Sequence, residues 1–145
     1  AVEFLISTNP GAEAGPLSKI ASGGEMARFM LALKVVMAQV GSAGTLIFDE
    51  VDTGIGGAVA DAVGERLAKL STTHQIMVVT HSPQVAARGN NHWIVHKSGQ
   101  DDVRTSITPL GDHEQRREEI ARMLSGAEIT IEARAAADKL LEKAA

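Results

Sequence analysis

At 145 residues and 44% hydrophobic content, the chain is long enough for one domain with a real core. Its few aromatics (Phe4, Phe29, Phe48 and Trp93) leave that core to Val, Ile, Leu, Met and Ala. The formal charge of -4 gives no electrostatic footprint for nucleic acid, and the lack of cysteine excludes a disulfide framework or a thiolate metal site. No apolar run approaches the roughly 18 residues that span a bilayer, so no membrane partner is expected and a cytoplasmic location fits.

The chain opens almost directly on a strand, Val2 to Ser7, which predicts a piece cut from a longer protein. A loop from Thr8 to Pro16 follows, with turn chemistry at Asn9-Pro10-Gly11 and Gly15-Pro16. Met26, Met30, Leu33, Met37 and Val40 then recur at helical spacing, a single apolar stripe. Ser22 and Glu25 fit a capping box at its start. Gly23 and Gly24 do not fit so simply, because each costs about 1 kcal/mol against Ala inside a helix. They make sense where a ligand must approach bare backbone. A helix amino terminus without Cβ atoms suits an anion, phosphate above all.

Thr45-Leu46-Ile47-Phe48-Asp49-Glu50-Val51-Asp52 is the organising stretch. A short apolar run between glycine clusters reads as a central strand of a parallel sheet. Ligands of open α/β sheets collect beyond the carboxyl ends of such strands. Neighbouring residues on a strand face opposite ways, so Asp49 and Glu50 have different tasks. Asp49 suits a hard cation such as Mg²⁺, and Glu50 suits polarising a water. The bland alternative is a strand that ends in a solvated acidic turn.

Beyond Gly54-Ile55-Gly56-Gly57, a helix from about Ala58 to Leu70 carries the stripe Val59, Val63, Leu67 and Leu70. Gln75 to Thr80 is a second buried strand and brings His81 to the same edge as the acids. Ser82 as N-cap with Pro83 after it starts a short helix. Asn91 to His96 and Val103 to Thr108 form a hairpin around Ser98 to Asp102. His92 and His96 would lie about 13 Å apart on a strand, too far for one ion. Two helices close the chain, Asp112 to Leu124 and Ile129 to Lys143, with Arg116, Arg117 and Arg122 read as a solvated face.

Ser22-Gly23-Gly24-Glu25, Leu46 to Glu50 and His81 resemble, in order, the signature motif, the Walker B strand and the switch histidine of ABC-type ATPase heads. The flanks Ile6 to Gly11, Lys19 to Glu25, Asp49 to Gly57 and Val79 to Ala86 look like the RecN family of bacterial SMC-like DNA repair ATPases. The resemblance implies an α/β fold, the carboxyl-terminal lobe of an ABC/SMC-type P-loop NTPase head, with a mostly parallel sheet flanked by helices and a helical tail. Residues 1–110 would carry the signature, Walker B and switch-histidine portion, and 111–145 the tail.

It also implies that ATP is sandwiched between two heads of a homodimer. Asp49 would help hold Mg²⁺, Glu50 would orient the attacking water and His81 would contact the γ-phosphate. Asp52 would lie in a loop facing the partner head. Ser22, Gly23 and Gly24, with Glu25 where the motif usually has Gln, would cap the γ-phosphate of the partner's nucleotide. The function implied is ATP-driven head dimerisation in DNA double-strand break repair and recombination, by a cytoplasmic, nucleoid-associated bacterial protein that meets DNA as a whole. A clamp gated by ATP binding rather than turnover uses the same residues, and a metal-dependent nuclease on Asp49, Glu50 and Asp52 is a more distant rival. No Lys follows the phosphate-loop pattern G-x-x-x-x-G-K-[ST]. An amino-terminal lobe with that loop, and the coiled coil, are therefore expected elsewhere, and this segment alone is expected to be inactive.

Overall fold

The computed structural model describes residues 3–7, 11–17, 29–33, 36–37, 43–99, 103–126 and 128–144. Strands β1 (Leu5–Ile6) and β2 (Gly15–Pro16) form a small antiparallel pair, so the expected loop contributes a strand at its end. Residues 29–33 and 36–37 are helical, and the Phe29 ring meets that of Phe4 edge-on at 6.2 Å. The face of this helix differs from the stripe expected. Leu31 is buried while Met30 and Met37 are exposed. Met26 and Val40 lie outside the described residues.

Strands β3 (Thr45–Asp49) and β4 (Gln75–Val79) pair in parallel, with Thr45 opposite Gln75 and Asp49 opposite Val79. Helix α1 (Gly57–Leu70) makes the crossover between them, the connection a parallel pair requires. Alternation along both strands puts Leu46, Phe48, Ile76 and Val78 on the face that packs with Ala60, Val63, Leu67 and Leu70 of α1. Val59, expected in the apolar stripe, is 42% exposed. The buried face turns instead on the small residues Ala60 and Gly64. A Cβ on Gly64 would stand 2.9 Å from Arg88 Cγ and 3.2 Å from the Gln84 carbonyl. Glycine here lets α1 close onto the next helix.

That helix, α2 (Pro83–Ala87), is short but joins two apolar clusters. Val85 belongs to the cluster under β3 and β4, whereas Ala87 packs with Ile120, Ala121, Ala133, Ala137 and Leu141. Strands β5 (Trp93–Ser98) and β6 (Arg104–Pro109) form an antiparallel hairpin, followed by α3 (His113–Ser125) and α4 (Ile131–Ala144). Asp112 caps α3 by accepting from Gln115 N at 2.8 Å, while Gln115 Oε1 accepts from Gly111 N. The α3 chain reverses at Gly126, whose φ of +78° suits glycine.

Among the described residues the strands form three two-stranded sheets rather than one larger one, and only β3–β4 is parallel. The physical sign is one-sided burial. Parallel strands are normally covered on both faces, yet Ile47, Met77 and Val79 are 66%, 44% and 52% exposed.

Two basic residues of α3, Arg116 and Arg117, depart from a solvated face, whereas Arg122 is exposed as expected. Arg116 is half-buried and donates from Nη2 to the carbonyls of Gly89 at 2.6 Å and Ala87 at 3.2 Å, at the end of α2. Arg122 forks onto the buried Glu119 at 2.8 and 2.6 Å, and Arg117 pairs with Glu114 and Glu118. No helix of the described residues is long and apolar enough to cross a membrane.

Candidate functional site at the β3–β4 edge

The carboxyl ends of β3 and β4 meet because their register is parallel and unshifted. Glu50 N continues the ladder by donating to Val79 O at 3.1 Å. The chain then turns sharply, with Glu50 at φ +49°, a left-handed conformation that costs a residue with a Cβ roughly 1–2 kcal/mol. Two successive turn hydrogen bonds hold it there, Thr53 N to Glu50 O and Ile55 N to Asp52 O, both 3.1 Å. Strain of this kind persists only where the surroundings impose it.

The turn divides the three acids. Asp49 and Glu50 are exposed, and among the described residues neither side chain has a hydrogen bond or an ion pair. Asp52 is 2% exposed and points inward. Its Oδ2 accepts from Thr80 Oγ1 at 2.8 Å and from His81 N at 3.3 Å, and lies 3.8 Å from His81 Nδ1. The Thr80 hydroxyl in turn accepts from Ser82 N at 3.0 Å. Ser82 is the N-cap of α2 ahead of Pro83, as expected, and its hydroxyl donates to Gln84 Oε1 at 2.9 Å. The His81 side chain is 75% exposed. Asp49, Glu50 and His81 thus stand at one edge with exposed side chains. Asp52, expected in a loop directed at a partner head, faces the interior of its own chain.

The donor set decides which cation would suit this edge. Among the described residues no three of His, Asp and Glu are placed to hold a metal together. Asp52, the third acid of the nuclease alternative, is withdrawn from this edge. One exposed carboxylate fits Mg²⁺, which keeps most of its waters and takes phosphate oxygens as further ligands. Ser22, Gly23, Gly24 and Glu25 lie outside the described residues.

Sequence reasoning missed the clasp between Asp52 and the Thr80-His81-Ser82 turn. The signal was present as an acid three residues past the strand end and a Thr before the His. Only the register of β3 on β4 brings the two together.

The fold is similar to that of a solved structure from work on ATP-driven dimerization and DNA-stimulated activation of SMC ATPases, with a TM-score of 0.64 over 86% of this chain and 81% of the other. The two sequences are 20% identical, so the likeness is one of fold. Like that neighbour in fold, the chain mixes helices with small sheets.

At the level of sequence the relatives are DNA repair proteins named RecN. That of Xylella fastidiosa (strain 9a5c) is 53% identical over 141 residues, 97% of this chain and 25% of the relative. RecN of Streptomyces coelicolor is 46% identical over 143 residues, and RecN of Deinococcus radiodurans 51% over 125 residues. The chain is homologous to RecN over nearly its whole length and spans about a quarter of the length of these curated relatives. No protein-family model matches the chain.

Proposed function

We propose that the chain forms part of an SMC-like ATPase head, in which ATP binding and hydrolysis drive head dimerisation during DNA double-strand break repair and recombination. One observation carries this reading: exposed Asp49 and Glu50 meet exposed His81 at the carboxyl edge of a parallel pair. The RecN relatives supply the DNA repair context, and the SMC-type fold supplies the dimerising ATPase.

Asp49 is the residue to hold Mg²⁺, which when bound neutralises phosphate charge. Glu50 positions the attacking water and accepts its proton, a general-base role typically worth about 10²–10⁴-fold. His81 reaches the γ-phosphate from the neighbouring strand end. Ser22, Gly23 and Gly24, with Glu25, cap the nucleotide held by the partner head. The phosphate loop belongs to an amino-terminal head lobe that precedes a coiled coil. The exposed Ile47, Met77 and Val79 face of β3–β4 supports such a lobe, since covering it would complete a sheet buried on both sides. This segment alone is accordingly inactive. The full-length protein acts on DNA in the bacterial cytoplasm, at the nucleoid.

Mixing variants of the full-length protein tests the reading. Ser22→Arg heads and heads lacking the phosphate-loop Lys are each expected to be inactive. Their mixed dimer keeps one intact composite site and regains part of the ATPase activity. No recovery, with both variants folded and shown to associate, would contradict the shared-site dimer.

A further inference from the structure

We propose that Asp52 is a positioning residue that clasps the turn carrying Glu50 to the turn carrying His81, through Thr80. A carboxylate taken out of water is expensive, and it is held in a fold only by partners that compensate it. Among the described residues, all the hydrogen bonds that Asp52 accepts on its side chain come from the turn after β4, from Thr80 Oγ1 and His81 N. Thr80 extends the clasp by accepting from Ser82 N. Three consecutive residues are therefore oriented, directly or through one hydroxyl, by an acid 28 positions earlier than the first of them.

The consequence for His81 is geometric. Its ring is 75% exposed, so side-chain packing contributes little to its orientation. Its backbone amide is tied to Asp52, and Nδ1 is the ring nitrogen on the carboxylate side at 3.8 Å. Nε2, across the ring, is left for the open edge. The same carboxylate lies two residues past Glu50, whose strained backbone sets the turn. One buried group thus fixes the spacing between the water-positioning acid and the histidine. Its second oxygen, Oδ1, is buried without a hydrogen-bond partner among the described residues, so the acid is retained at a cost that packing alone does not explain.

The proposal rests on the ATPase reading, and its test separates the two. In the full-length protein, Asp52→Asn and Thr80→Val are each expected to lower kcat at least about tenfold with little change in KM, whereas Thr80→Ser, which keeps the hydroxyl, stays within about twofold of the parent. Because Asp52 acts through His81, adding Asp52→Asn to His81→Ala should lower kcat no further. An equal fall in both backgrounds would overturn the clasp, as would a Thr80→Val protein with parental kcat. Selective ¹⁵N-histidine NMR reads the geometry without turnover. The His81 ring resonances should move in Asp52→Asn and Thr80→Val while those of His96 and His113 stay in place. Unmoved His81 resonances would refute the clasp even if the protein hydrolyses ATP. Moved resonances in a protein without ATPase activity would uphold the clasp and refute the function. Should Asp52→Asn fail to fold, the Thr80 pair decides alone.

Discussion

Substituting Gly64 probes the packing that seats α2 and, through it, the His81 turn. Alanine at this position gains about 1 kcal/mol of helix propensity. Against that, its Cβ would meet Arg88 Cγ at 2.9 Å, Gln84 O at 3.2 Å and Val85 Cα at 3.4 Å. The Arg88 side chain is not free to swing aside. Its guanidinium donates to Asp61 at 3.0 Å, to Glu65 at 3.1 Å and to the Lys143 carbonyl at 3.1 Å. The other two contacts are to backbone of α2, which moves only if the helix moves. Overpacking of this kind costs about 1–3 kcal/mol, so the clash outweighs the propensity gain and Gly64→Ala destabilises by about 1 kcal/mol net. Gly64→Val adds further methyl groups against the same backbone and should exceed about 3 kcal/mol. Urea unfolding followed by far-UV circular dichroism measures both. In an Arg88→Ala background the closest contact is gone, and the cost of Gly64→Ala should fall by about 0.5 kcal/mol or more. A Gly64→Ala protein more stable than the parent, with no coupling to Arg88, would refute the reasoning.

Arg116→Ala should destabilise by about 2–3 kcal/mol in the same assay, because it strips a charged donor from two carbonyls at the end of α2. Arg116→Lys should recover only part of this, since an ammonium is more strongly hydrated than a guanidinium and costs more to half-bury. His92 is held below its ordinary pKa of 6.5 by burial and by the nearby Arg116, with Glu119 opposing. The unfolded chain therefore takes up this proton more readily, and the stability it confers is present above about pH 6.5 and lost as the pH falls through that value towards the lower folded one. His92→Gln should flatten the fall of the unfolding midpoint between about pH 7 and pH 5.5. Asp61, held low by Lys143 and Arg88, acts at more acid pH, below its ordinary 3.8. An unchanged pH profile in His92→Gln would contradict the assignment.

Elements whose stability is local were legible in the sequence. Strands β3 and β4 are continuous apolar runs bounded by Gly and by polar turns, and Asp112 and Gly126 mark the ends of α3 much as capping chemistry predicts. Contacts between elements were not. The α1 face was misjudged at Val59 because periodicity weights large side chains, whereas the close approach to α2 is made by Ala60 and Gly64. Arg116 looked like surface because its partners are carbonyls, which carry no side-chain signal. At the site, Asp49, Glu50 and His81 could be placed on one edge from strand ends alone. The inward turn of Asp52 depends on the positive φ at Glu50 and on Thr80 across the register, neither of which has a sequence period. The extent of the sheet around β3 and β4 was not legible for a related reason. Apolar alternation on Ile47, Met77 and Val79 signals a covered face but does not say which segment covers it.

The most direct test of the account is ATP turnover by Glu50→Gln in the full-length protein, measured beside ATP affinity. The amide keeps the shape of the side chain and loses the charge that activates water. The account predicts that kcat falls by about 10²–10⁴-fold while ATP still binds and the head dimer lives longer. A Glu50→Gln protein that binds and hydrolyses ATP at the parental rate would reduce Glu50 to a strand-end acid and contradict the placement of the reaction at the β3–β4 edge.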